Sequence, residues 1–276
     1  MKSILLRTVA LSALMTSQAL AADLAVKAPP VQAPVPVSPL YNWSGFYAGL
    51  NAGADFAYSG DPSTSASCAV PTGFSFGIFA CADVPRVNAA GTGSMHRTGF
   101  TGGGQAGYNW QRDALVLGGE VDFGAFSGKA SRSGGGTYAL NSSATYAVTD
   151  TVNAHWLMTA RARVGVAFDN VLLFATGGLA VTDLSASNSF SDSLSFATGT
   201  WNASSTKTGW TAGAGVEWGV ARNWTVKAEY LYVHFDSINA SGFVTGNFGA
   251  AAYGSAISTS TDLSAHIARA GINYRF

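Results

Sequence analysis

Eight charged residues carry the most chemical information in this chain. Glu120, Asp122, Glu217 and Glu229 supply four negatives, and Arg161, Arg163, Lys227 and Arg269 supply four positives. Each falls in a stretch of alternating apolar and polar residues, on the face opposite the aromatic-rich one. Balanced charges confined to one face can pair, because losing one partner of a buried pair costs about 3–5 kcal/mol. The alternative is a narrow gated pore in which Arg161 or Arg163 exchanges partners. Three other patterns are weaker. Gly102–Gly107 reads GGGQAG and matches the dinucleotide pattern GxGxxG, but that pattern needs a following helix N-terminus to hold pyrophosphate. Alternation on both sides places it inside a strand, where glycines ease close packing. Gly73–Gly77 reads GFSFG and matches the GxSxG nucleophile elbow, which needs a strand-to-helix turn with His and acidic partners. Ser75 instead lies in a polar stretch flanked by cysteines. His96, His155, His234 and His266 show no metal-ligand spacing and read as polar residues near strand ends or loops. No catalytic residue, cofactor site or metal site is assigned.

Composition narrows the class further. Charged residues make up 11% of the 276, less than half of the roughly 25% usual in soluble domains. No run reaches the ~18 consecutive apolar residues of a membrane-spanning helix. Few charges without long apolar runs fits apolar residues spread at every second position, the weak signal of a transmembrane barrel. A net charge of zero gives no basic footprint for nucleic acid. Cys68 and Cys81 are the only cysteines. Their short spacing in an exported chain favours a disulfide over two free thiols.

The elements that must position the charges follow in order. Residues 1–21 read as a secretory signal: Lys2 and Arg7, an apolar stretch, then the small-x-small site Ala19-Leu20-Ala21. Residues 22–41 form a Pro-rich periplasmic tether, stiff and extended. From residue 42 to 276 the pattern predicts eight strands. The first alternates Phe46, Ala48, Leu50, Ala52, Ala54 and Phe56 against Tyr47, Asn51 and Asp55. Short turns fall at Arg112-Asp113, Asp169-Asn170 and Arg222-Asn223. Long polar stretches fall at about 59–96, 127–152, 184–206 and 236–262 and read as four long extracellular loops. Around 171–181, Leu172 and Phe174 compete with Leu173 and Leu179 for the outer face.

The expected fold is therefore all-β, an eight-stranded antiparallel transmembrane β-barrel with short periplasmic turns. The charged face must be the lumen, since Arg or Lys facing lipid at mid-membrane costs about 2–4 kcal/mol. Trp43, Tyr108, Trp110, Trp156, Trp210, Trp218, Trp224, Tyr230, Tyr232 and Tyr274 gather near strand ends and predict interfacial girdles.

Asn42–Gly53, reading NWSGFYAGLNAG, and the closing Gly271–Phe276, reading GINYRF, carry a family resemblance. The chain from about residue 42 onward resembles the α-proteobacterial outer-membrane immunogenic, or porin-family, surface proteins, whose barrel is similar to the OmpA transmembrane domain. The resemblance implies outer-membrane lipid and lipopolysaccharide as surroundings, with antigenic surface loops. It also implies folding by the outer-membrane assembly machinery, which reads a terminal aromatic such as Phe276, with Tyr274 beside it. In some members of this wider group a mature N-terminal Ala-Asp is joined to peptidoglycan, and Ala22-Asp23 ahead of the tether would suit that attachment. The implied role is a structural barrel contributing to envelope integrity. The alternatives are a narrow channel for small solutes and a loop-borne adhesin or ligand-binding surface.

Overall fold

A wall with lipid outside and packed side chains inside dictates a period of two, and the strands obey it. The structure, a computed structural model, describes residues 41–68, 82–139, 141–248 and 251–276. Its strands are β1 (Gly45–Ala66), β2 (Met95–Arg112), β3 (Leu115–Thr137), β4 (Thr145–Phe168), β5 (Val171–Asp192), β6 (Thr198–Gly219), β7 (Trp224–Phe248) and β8 (Ala251–Arg275). A short helix, α1 (Val84–Ala90), lies between β1 and β2. Each strand pairs antiparallel with the next, and β1 pairs with β8 to close the barrel. The expected signal segment, Ala22, Asp23, Ser75 and Cys81 lie outside the described residues. Cys68 carries no free thiol.

The end with the short turns shows the expected polarity. Phe46, Leu50, Phe123, Val164, Leu173, Leu179 and Ile272 are exposed on the outer wall. Leu172 and Phe174 turn inward, which resolves the ambiguous strand in favour of Leu173 and Leu179 outside. Asp113 and Asp169 adopt left-handed φ values of 54° and 50° in the turns after β2 and β4. A short polar side chain makes that conformation accessible.

Three of the four polar stretches correct the expectation of long loops. Most of their length is strand: β3 and β4 pair out to Thr137↔Thr145, β5 and β6 to Ser191↔Thr198, and β7 and β8 to Phe248↔Ala251. β7 is 25 residues long, whereas about 9–11 tilted residues cross a membrane. At roughly 2.5 Å of height per tilted residue, the extension rises about 30 Å above the outer girdle. Its polarity is inverted. Ser131, Thr151, Ser187, Asn202 and Ser241 face out, while Phe126, Leu157, Leu184, Val233, Phe235, Leu263 and Ile267 pack inside. A second apolar cluster above them includes Val87, Tyr146, Val148, Phe190, Trp201 and Ile257. Water outside, rather than lipid, is the physical reason: the same pleat now hides its apolar face.

Register shifts mark the changeover, at Phe56/Ser59, Ala125/Gly128, Asn153/Leu157 and Phe235/Ile238. A bulge leaves backbone donors without ladder partners. At the β4 bulge Asp183 supplies the acceptor. Its Oδ1 takes the backbone N–H of His155 at 2.9 Å and of Trp156 at 3.2 Å. Its Oδ2 lies 2.6 Å from His155 Nδ1. Asp183 is thus a bulge cap.

Two departures from a simple barrel occur in the extension. β2 pairs with β3 only up to Thr101↔Phe126, and α1 packs beside the rest of β3, where Arg132 Nη1 donates to Ala90 O at 2.6 Å. The β6–β7 ladder stops at Gly209↔Phe235 and resumes at Thr198↔Thr245. At the other end, Trp43 is not in a girdle. It is fully buried, packed with Val116, Leu172 and Phe174, with the Arg275 guanidinium 5.7 Å from its ring. Trp43 precedes β1, and Gly45, at a φ of 129°, redirects the chain before strand parity begins.

Truncating Asp183 to Ala leaves the His155 and Trp156 N–H groups without their acceptor. Urea unfolding in detergent micelles should show a loss of about 1–3 kcal/mol, with Asp183→Asn losing less.

Candidate functional site

The lumen at the level of the membrane is where the charged parity converges. β3 contributes Glu120 and Asp122, β4 Arg161 and Arg163, β6 Glu217, β7 Lys227 and Glu229, and β8 Arg269. All eight are buried, none more than 6% exposed. Register explains the meeting. Glu120 is the ladder partner of Arg161, Glu217 of Lys227, and Glu229 of Arg269.

The side chains form one dense cluster and one satellite. In the cluster, Arg161 bonds Glu120, reaches Asp122 at 2.9 Å and reaches Glu229 at 3.1 Å. Lys227 Nζ lies 2.7 Å from Glu120 Oε1 and 3.3 Å from Glu229 Oε1. Arg269 holds Asp122 at 3.0 Å and Glu229 at 2.6 Å. In the satellite, Arg163 bonds Glu217 and lies 3.8 Å from the centroid of the Phe174 ring. Every charge has an opposite partner, which is the condition for ions to persist in a lumen without bulk water.

Neutral residues add further hydrogen bonds. Tyr47 donates to Glu120 at 2.7 Å, and Thr159 donates to Asp122 at 2.6 Å. Thr225 and Asn273 donate to Glu217, the latter at 2.9 Å. Gln105 donates to Asn273, and Asn51 donates to Gln105 at 3.0 Å. These residues share the charged parity, so their position was readable, although no role was assigned to them. Space for the long side chains comes from facing glycines: a Cβ on Gly53 would collide with Arg269. The cluster contains no nucleophile beside a general base, and its acceptors are spent on its own donors.

Other candidate residues lie elsewhere. Gly102–Gly107 sits within β2 with no helix following it. His155 serves Asp183, and His266 Nδ1 pairs with Tyr230 OH on the outer wall. Tyr274 and Phe276 are exposed at the end of β8, their rings edge-to-face at 5.3 Å. The Phe276 N–H donates to Phe46 O at 3.1 Å, so the last residue still joins the seam.

The satellite pair offers the cleanest energetic test. Arg163→Met leaves Glu217 buried with hydrogen bonds but no countercharge and should cost about 3–5 kcal/mol. The double variant Arg163→Met with Glu217→Leu should recover most of that loss in the same urea titration. A double variant as unstable as the single would refute paired charge as the cause.

Known proteins resemble this chain in sequence. The family described as "Outer membrane protein beta-barrel domain" matches residues 8–276. A 31 kDa outer-membrane immunogenic protein of Brucella melitensis biotype 1 is 34% identical over 280 residues, covering 100% of both chains. A 22 kDa outer membrane protein of Rhizobium leguminosarum bv. viciae is 33% identical over 202 residues, covering 73% of this chain and 69% of that one. The solved structure of OprG from Pseudomonas aeruginosa overlaps with a TM-score of 0.41 at 8% identity, covering 85% of this chain and 98% of that one. The chain therefore belongs to the outer membrane protein β-barrel family and resides in the outer membrane of a Gram-negative bacterium.

Proposed function

We propose that this protein is a non-conducting structural barrel that contributes to envelope integrity and is tethered to peptidoglycan through Ala22-Asp23. One observation carries the reading: both halves of the lumen are filled, by different means. At membrane level the eight charges and their hydrogen-bonding partners occupy it. Above them sixteen buried apolar residues form a continuous cluster, from Met95 and Phe126 to Ile267. A hydrated path would have to displace paired ions and then a close-packed, mainly apolar layer.

The tether rests on less. Its support is the Ala-Asp start that signal cleavage would create, followed by five prolines between residues 29 and 39.

Planar-bilayer recordings of the pure protein should show no steady conductance, in wild type or in Glu120→Gln. A steady current that changes in that variant would sink the plug and favour the narrow channel. Mass spectrometry of lysozyme-released protein should find Ala22 carrying a muropeptide; an unmodified Ala22 would remove the tether.

A further inference from the structure

The extension holds one group of polar atoms that nothing described so far satisfies. Asp150 on β4 and Asn188 on β5 are ladder partners, and both side chains point into the barrel. Asp150 is 0% exposed and Asn188 2% exposed. Both carboxylate oxygens of Asp150 and the amide oxygen of Asn188 are buried without a hydrogen-bond partner.

The orientation of the amide is forced. Asn188 is also the ladder partner of Trp201 on β6, and its Nδ2 donates to Trp201 O at 3.3 Å. That carbonyl can only accept, so flipping the amide would set oxygen against oxygen. The two ladder neighbours thus hold three buried acceptor oxygens that no donor among the described residues reaches.

The nearest cation does not resolve the conflict. Arg132 on β3 is the other ladder partner of Asp150. Its Nη1 is committed to Ala90 O at 2.6 Å, and neither Asp150 oxygen accepts a hydrogen bond. No other charged side chain faces Asp150 across the β3–β4 or β4–β5 ladder, whose inward neighbours there are Ala130, Val148, Val152 and Phe190.

We propose that Asp150 and Asn188 form a buried site for a hard, oxygen-seeking cation of calcium's class. The two carboxylate oxygens and the amide oxygen are first ligands of the type such ions take, with water completing the shell. Burial pushes the Asp150 carboxyl up to about 6, with Arg132 opposing the rise. Above that pH the carboxylate is charged and its need for a countercharge is greatest. A single carboxylate implies weak affinity, of the order of 10⁻⁴–10⁻³ M, as in extracellular calcium modules.

The test uses the full mature chain refolded in zwitterionic detergent free of lipopolysaccharide. At pH 7.5, about 10 mM calcium chloride against EDTA should raise the temperature at which the heat-modifiable folded band is lost by about 2–4 °C. Asp150→Asn keeps the volume and gives Asn188 Oδ1 a donor. It should fold, hold its stability in EDTA and lose the calcium response. Asn188→Asp adds a second carboxylate and should lower the calcium concentration needed by at least about tenfold. Tryptophan-sensitised terbium emission should be present in wild type and reduced in Asp150→Asn. Equal heat stability in calcium and EDTA, or the same calcium response in Asp150→Asn, overturns the site. Stabilisation only on acidification through about 6, indifferent to calcium, also overturns it, because a proton shared between Asp150 and Asn188 would then be the missing donor.

Discussion

Charge that cannot face lipid has to face the lumen, and an eight-strand lumen is too narrow to hydrate it. Those two constraints together determine most of the lower barrel. Arg161, Arg163, Lys227 and Arg269 cannot stay inside as isolated ions, so four carboxylates lie within bonding reach. The carboxylates have more lone pairs than the cations satisfy, so Tyr47, Thr159, Thr225 and Asn273 add donors. The long side chains need room, and glycines such as Gly53 opposite Arg269 provide it. The Ala- and Gly-rich strands are a consequence of filling a small cylinder with large polar groups.

Above the outer girdle the solvent changes and the same strands answer differently. Facing water, the wall turns Ser, Thr and Asn outward and packs Leu, Val, Ile and Phe inward. β8 shows the transition without any bulge of its own. Its inward residues, read upward, are Arg275, Asn273, Arg269, then Ile267, Ala265 and Leu263. The extension also departs from a closed ladder where β2 gives way to α1 and where β6 and β7 part. It can do so because its interior is apolar: a packed core holds the walls together where ladder bonds are missing.

The sequence was legible where lipid and ionic lumen faced each other across the wall. There the contrast between faces is large, so the parity of Glu120, Arg161, Glu217 and Arg269 marked the lumen. The short turns at Asp113 and Asp169 were legible for the same reason: the alternation stops abruptly on both sides. The extension was not. Its outward Ser and Thr look like loop composition, and bulges near 57, 127, 155 and 237 slip the parity just where the strand leaves the membrane. Trp43 misled because aromatic type alone does not tell a girdle from a plug; its place depends on the redirected backbone at Gly45. The seven residues of α1 are too few for helical periodicity to show.

The ionic and apolar fillings are not interchangeable, and the positions of the bulges show why. A slip of one residue sends a whole strand's side chains to the opposite face. At the charge layer that would push Arg161 and Arg163, or Lys227 and Glu229, into lipid, at about 2–4 kcal/mol for each cation near the midplane. It would also strand the partners left behind. In the extension a slip exchanges Val or Ala for Ser or Thr against water, a far smaller penalty per residue. Register should therefore be enforced at the charge layer and relaxed above it. The shifts follow that division: among the described residues each register shift lies on the extracellular side of the eight paired charges, and none falls among them. The salt-bridge layer thus sets the alignment of the strands, and the bulges adapt that fixed alignment to a second solvent.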